Sequence, residues 1–115
     1  MMENIVEEKS FRFAVRIVKL CQYLRSNKKE YALTKQLIRS GTSVGANVAE
    51  AQQAQSKADF VSKLNIALKE AVETNYWIRL LAATNYLTET EKSSILEDCE
   101  ELQKILISII KKSKQ

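Results

Sequence analysis

Histidine is absent from this 115-residue sequence, and its absence removes much of the common chemistry of enzymes and metal sites. Without an imidazole there is no Ser-His-Asp or Cys-His nucleophile arrangement, and the usual zinc ligand sets lack their nitrogen donors. The Glu-x-x-His pairs that hold di-iron centres in helical bundles are excluded for the same reason. The sequence therefore predicts a protein that is not an enzyme, has no cofactor or metal and uses no small-molecule substrate.

Proline is also absent, and glycine occurs only at Gly41 and Gly45. All-β folds of this size need both residue types in their turns, so that class is poorly supported. A phosphate-binding glycine loop is missing too, because both glycines fall inside a predicted helix. Hydrophobic residues make up 45% of the chain and charged residues 28%, which is typical of a globular protein. These features predict one all-α domain over residues 1–115.

Cysteine occurs only at Cys21 and Cys99, which is too few to stabilise a small secreted domain. Both lie on apolar helical stripes, as is typical of buried thiols in a reducing compartment. The amino terminus is acidic and lacks an apolar signal-peptide segment. No apolar run approaches the roughly 20 residues needed to span a bilayer. We therefore expect a soluble, cytoplasmic protein that has no membrane partner.

Apolar residues recur at helical spacing in four segments of similar length, separated by short polar joints. The first two segments cover about 6–24 and 30–54, and Asn4 or Ser10 is the candidate cap of the first. Ser56 and Thr88 each begin a capping box that opens the third and fourth segments, and Asn85 can take the left-handed conformation that ends the third. Similar lengths and short joints predict an antiparallel up-down-up-down four-helix bundle.

The first helix carries two apolar stripes, although one is enough to face a bundle core. The stripes are Phe11, Ala14, Val18 and Cys21, and Phe13, Ile17, Leu20 and Leu24. Two stripes indicate burial on more than one side and therefore predict a homo-oligomer.

Glycine in a helix interior costs roughly 0.5–1 kcal/mol relative to alanine, so Gly41 and Gly45 require a compensating role. Close approach of a neighbouring helix, a local kink and a ligand contact are the three interpretations. The predicted oligomer or helix-packing contacts are Phe13, Ile17, Gly41, Ser43, Gly45 and Asn47.

Excess positive charge is confined to the first half of the chain. Residues 1–56 contain nine Lys or Arg against five Asp or Glu, whereas residues 57–115 contain nine of each. If the first two helices run antiparallel, their cations lie at similar levels and form one basic face, typical of phosphate binding. The candidate nucleic-acid contacts are Arg12, Arg16, Lys19, Lys35 and Arg39. The alternative is a solvated face whose cations pair with Glu8, Glu30 or Glu50.

Two further groups are interpreted as structural. Tyr23, Tyr31, Tyr76 and Tyr86 have helical or helix-end positions where packing is a commoner use than base stacking. Glu70 and Glu73 share a helix side, and solvated charges or an ion pair with Lys63 or Lys69 are favoured over acid–base chemistry.

Three stretches, 13–20, 36–51 and 63–77, together resemble the four-helix-bundle proteins encoded in intervening sequences of bacterial 23S ribosomal RNA genes. The segment Arg-Ser-Gly-Thr-Ser-Val-Gly-Ala-Asn at 39–47 is the most specific part, and the resemblance covers nearly the whole chain. It implies a four-helix bundle, and some relatives assemble as homopentamers. The accessory protein of diversity-generating retroelements, which works beside a reverse transcriptase and nucleic acid, is a more distant likeness.

Two functions are compatible with these observations. The first is an oligomeric accessory protein whose basic face binds RNA, DNA or a ribonucleoprotein. The alternative is a protein–protein assembly module without affinity for nucleic acid, in which the two apolar stripes and the glycine segment build the oligomer and the cations keep it soluble.

Overall fold

The computed structural model describes residues 2–114, with side chains from Asn4 to Lys114. These residues form four helices, α1 (Met2–Asn27), α2 (Ala32–Ala51), α3 (Lys57–Ala83) and α4 (Glu89–Ser113). The predicted all-α class is confirmed. Met1 and Gln115, the two ends of the predicted 1–115 domain, lie outside the described residues.

The helices form an elongated bundle of 45 × 21 × 19 Å in which each one packs against two neighbours. Around the bundle the order is α1, α2, α3 and α4, and α4 closes against α1. Side-chain contacts fix the directions. Lys9 and Arg16 of α1 bond to Glu101 and Ser94 of α4, so these two helices run antiparallel. The antiparallel four-helix bundle expected from the sequence is confirmed.

The caps of α3 and α4 are those that the sequence predicts. The Ser56 hydroxyl accepts a hydrogen bond from the Asp59 N–H at 3.0 Å. The Thr88 hydroxyl accepts from the Glu91 N–H at 3.1 Å, and the Glu91 carboxylate accepts from the Thr88 N–H at 2.8 Å. Asn85, with φ of 69°, follows α3 in the left-handed conformation.

The start of α1 differs from the prediction. The helix begins at Met2, so Asn4 and Ser10 lie within it and neither is its cap. Ser10 is buried, and its hydroxyl donates to the Glu7 carbonyl oxygen at 3.1 Å, a bond that a helix interior accommodates.

The start of α2 is also different, because Glu30 lies before the helix and caps it. The Glu30 carboxylate accepts hydrogen bonds from the N–H groups of Leu33 and Thr34 at 2.9 and 2.8 Å. These donors have no partner inside the helix, and the negative charge suits the positive end of the helix dipole. Lys29, with φ of 56°, turns the chain just before this cap. The Glu30 cap and the left-handed Lys29 therefore fix the conformation of the joint between α1 and α2.

Candidate interaction surfaces

The glycines of α2 allow α1 to approach closely. A Cβ added to Gly41 would stand 2.8 Å from both Cγ1 and Cγ2 of Ile17, and one added to Gly45 would stand 3.1 Å from the Ser10 carbonyl oxygen. Ordinary van der Waals contacts between carbons are longer, at about 3.5–4.0 Å. Of the three interpretations of the glycines, close helix approach is the one that the geometry fits.

The other predicted contact residues are accounted for within the subunit. Phe13 and Ile17 are buried in the bundle core. The Ser43 hydroxyl donates to the Arg39 carbonyl oxygen at 2.6 Å, and the Asn47 amide donates to the Ser43 carbonyl oxygen at 2.9 Å. Both polar groups are therefore satisfied on their own helix.

Arg39 connects α2 to α3 through two carboxylates. Its guanidinium contacts Glu70 at 3.3 Å and is ion-paired with Glu73. Glu73 also accepts a hydrogen bond from the Trp77 indole N–H at 2.9 Å. The carboxylates that the sequence assigns to Lys63 or Lys69 thus pair with Arg39 instead, because α2 lies against this side of α3.

Arg16 connects α1 to α4 in a similar way. Its guanidinium donates to the Ser94 hydroxyl at 2.9 Å and is ion-paired with Asp98. Arg12 pairs with Glu8 one turn earlier on its own helix, as the solvated-face alternative expects. Three of the five candidate phosphate contacts therefore already have carboxylate partners.

These arginines do not share a face. Arg16 lies at the interface of α1 with α4 and Arg39 at the interface of α2 with α3, and these two interfaces are on opposite flanks of the bundle. The antiparallel register brings the two residues to similar levels, but the side chains point apart. The predicted basic face that includes both Arg16 and Arg39 is therefore not formed, because spacing along the chain fixes height in the bundle and leaves the direction around each helix axis open.

The remaining candidates, Lys19 and Lys35, are exposed and make no ion pair with the described residues. Lys28 and Lys29, in the joint that connects α1 to α2, are likewise exposed and without an ion pair in residues 4–114. Tyr31 in the same joint is also exposed. This end of the bundle is therefore the part of α1 and α2 where unpaired positive charge collects.

A groove of about 830 Å³ runs between α1 and α2 on the outer side of the bundle. Its apolar lining comes from Phe11, whose surface is 69% exposed, and from small residues of both helices. The lining is Asn4, Glu7, Glu8, Phe11, Arg12, Ala14, Thr42, Gly45, Ala46 and Ala49. The first apolar stripe of α1 is thus only partly covered within one subunit.

A second uncovered patch lies on the outer face of α3, which we call the α3 ridge. It consists of Lys69, Val72, Tyr76 and Arg79, spaced 3, 4 and 3 apart and all exposed. The Tyr76 ring packs edge-on against Trp77 at 5.0 Å between centroids, and the Arg79 guanidinium lies 5.9 Å from its centroid. Of the tyrosines interpreted as packing residues, Tyr86 packs against the core, Tyr76 packs against Trp77 with one side exposed, and Tyr31 is the most exposed at 58%.

Both cysteines are free thiols and are buried in the core. Burial raises the pKa of Cys21 from 9.0 to about 11 and that of Cys99 to about 12. Within the described residues, no group of three or more Cys, Asp or Glu side chains is placed to hold a metal ion. None of the four helices, over the same residues, is long and apolar enough to cross a membrane.

Sequence reasoning missed the α3 ridge, the cap at Glu30 and the partners of the arginines. The ridge was detectable, because Val72 and Tyr76 are apolar residues that lie off the buried stripe of α3. Glu30 gave a weaker signal, since a Glu two residues before a helix is an uncommon cap.

The fold and these surfaces define a four-helix bundle that presents exposed apolar patches. The family model of the 23S rRNA-intervening sequence protein matches residues 2–108. The chain belongs to this family, as the resemblance in the sequence predicts. The chain is also similar to a solved structure from Bacteroides thetaiotaomicron VPI-5482, a protein of unknown function from the S23 ribosomal protein family. Identity is 57%, the TM-score is 0.96, and the match covers 96% of this chain and 99% of that one. Comparison with curated proteins gave no match.

Proposed function

We propose that this protein is a non-enzymatic assembly module that forms homo-oligomers through the groove between α1 and α2. The observation that carries the proposal is Phe11, a large aromatic side chain that is mostly exposed beside a lining of small residues. Aromatic residues next to concave apolar surface are characteristic of interface centres, where they contribute much of the binding energy.

The pairing of the arginines also favours assembly over nucleic-acid binding. Phosphate contacts require cations that are free to replace counterions, and Arg12, Arg16 and Arg39 already contact carboxylates of the same chain. The two apolar stripes on α1, whose presence together predicts an oligomer, include the same Phe11. Resemblance to relatives that form homopentamers points to the same role, with five as the expected subunit number.

The molar mass in solution tests the proposal. Light scattering after size-exclusion chromatography should give a multiple of the 13.1 kDa chain for the unaltered protein and a smaller mass for Phe11→Glu. Tyr31→Glu is the matched control, because it replaces another exposed aromatic residue, in the joint between α1 and α2 and outside the groove. An unaltered protein that stays at 13.1 kDa over the whole concentration range would overturn the proposal.

Nucleic-acid binding is the second candidate, supported by the exposed lysines at the α1–α2 joint. Lys28 and Lys29 lie beside Tyr31 there and make no ion pair in the described part of the chain. An exposed aromatic ring among cations is a common arrangement for binding single strands. In this version the phosphate contacts are at the end of the bundle, and the arginines hold the helices together.

A salt series with a labelled structured RNA and a matched DNA duplex tests this second candidate. Affinity should fall as salt rises, with a slope of log affinity against log salt of about −0.9 per neutralised phosphate on duplex DNA. Replacing Lys28 and Lys29 with alanine should weaken binding more than the same change at Arg16 and Arg39. The absence of binding at low salt by a folded oligomer leaves assembly as the sole role.

A further inference from the structure

We infer that the α3 ridge of one subunit binds in the α1–α2 groove of the next, so that two different surfaces of the chain meet at each contact. This inference rests on the proposed self-assembly and specifies the occupant of the groove as a second copy of the chain. The contact is heterologous, since the surface that each subunit offers to one neighbour differs from the surface that it offers to the other.

The shape of the α3 ridge suits a concave partner. Val72 is 51% exposed and Tyr76 is 49% exposed, so both side chains project from the outer face of α3. Trp77 and Arg79 hold the Tyr76 ring from two sides, at 5.0 and 5.9 Å. A ring that is already ordered loses little conformational entropy on binding, which favours its use as an anchor.

The groove has the complementary shape. Opposite Phe11, α2 contributes only small side chains, Thr42, Gly45, Ala46 and Ala49. The groove has a volume of about 830 Å³ and is open to solvent along its outer side, so it offers space for side chains of a projecting ridge. Groove-to-groove contact between two copies would instead place two concave surfaces face to face and leave space between them.

The charges of the two surfaces are opposite. The groove carries Glu7, Glu8 and Arg12, a formal charge of −1. The α3 ridge carries Lys69 and Arg79, a formal charge of +2. Lys69 makes no ion pair with the described residues, and Glu7 makes none either, so both charges are available to a neighbour. Complementary rims of this kind orient a contact and disfavour alternative pairings.

The relative direction of the surfaces determines the form of the assembly. The groove lies between α1 and α2, whereas the ridge lies on α3, which packs against α2 and α4 and not against α1. The two surfaces are therefore on different parts of the bundle, and we expect each contact to rotate the next subunit relative to the last. Repetition of such a contact closes into a ring when the rotation divides a full turn.

Mixing two complementary variants tests the inference. Phe11→Glu disables the groove and keeps the ridge, while Tyr76→Glu disables the ridge and keeps the groove. Each variant alone should have the 13.1 kDa mass of one chain. An equimolar mixture should form a complex of twice that mass, since one intact groove meets one intact ridge and the complex cannot grow further.

The outcomes separate this inference from the proposed function. A Tyr76→Glu chain that assembles like the unaltered protein, while Phe11→Glu does not, overturns the ridge as occupant and leaves assembly through the groove standing. A mixture that stays at the single-chain mass, at concentrations where the unaltered protein is fully assembled, also overturns the heterologous contact. Circular dichroism of each variant confirms that the bundle is folded. Lys104→Glu, at an exposed lysine outside both surfaces, is the control for added negative charge.

Discussion

Gly41 of α2 lies directly against the side chain of Ile17 of α1, with no room for a methyl group between them. The Cβ of an alanine at this position would be 2.8 Å from two carbons of Ile17, which is 0% exposed and cannot move outward. The separation of α1 and α2, and with it the width of the groove beside them, therefore depends on this contact.

Gly41→Ala should lower the free energy of unfolding by about 1 to 2 kcal/mol. Overpacking costs roughly 1–3 kcal/mol, and the better helix propensity of alanine returns up to about 1 kcal/mol. Urea denaturation followed by circular dichroism measures the change. In an Ile17→Ala background Cγ1 and Cγ2 are gone and only the Cβ at 3.2 Å remains, so the same substitution should cost much less. A double-mutant cycle with no coupling between the two positions would contradict the direct contact.

Arg39→Ala should destabilise the bundle by about 1 kcal/mol at low salt. The guanidinium is 48% exposed and each of its ion pairs is worth at most about 1 kcal/mol, but its loss leaves Glu70 and Glu73 side by side without a counter-charge. The effect should shrink at high salt because the carboxylates are then screened. Lys35→Ala, at an exposed residue one turn earlier, is the control and should change stability by less than about 0.5 kcal/mol. Equal losses for the two variants would argue against the network.

Thr88→Ala should cost about 1 kcal/mol of stability, the usual value for removal of a helix cap. The substitution leaves the Glu91 N–H without its acceptor at the start of α4. Thr90→Ala, two residues later and also exposed, removes a similar hydroxyl without touching the cap. Thermal unfolding of both variants separates loss of the cap from loss of a threonine.

The two thiols should react with a disulfide reagent only when the chain unfolds. Their raised pKa values, about 11 for Cys21 and about 12 for Cys99, keep them protonated in the folded state at neutral pH. The unfolded chain has thiols of ordinary pKa, near 9.0, that ionise first as pH rises. The two thiols therefore make their full contribution to the free energy of unfolding below about pH 9, and this contribution decreases between about pH 9 and 12. Replacing both cysteines with alanine should flatten that part of a plot of unfolding free energy against pH.

The helices and most of their limits were predictable from the sequence because their signals are local. The capping boxes at Ser56 and Thr88 and the left-handed Asn85 each depend on residues within one turn. The sequence narrowed the role of the glycines to three alternatives. The packed structure is needed to identify Ile17 as the neighbour of Gly41.

The partners of the charged side chains were not predictable in the same way. Arg16 pairs with Asp98, 82 residues away, and Arg39 pairs with Glu70 and Glu73, on a helix that the sequence does not orient. Candidate phosphate contacts chosen by spacing alone therefore included residues that hold the bundle together.

The interface between α1 and α4 affects the order in which the helices come together during folding. Each of the other three interfaces joins helices connected by only four or five residues, whereas α1 meets α4 only after the rest of the chain has been placed. The chain entropy lost on closing a loop increases with the length of the loop. Pairs of helices that are neighbours in sequence should therefore form early, and the α1–α4 interface should form last. The contacts of Lys9 and Arg16 with α4 would then be made after the folding transition state, and their removal should accelerate unfolding while leaving the folding rate nearly unchanged.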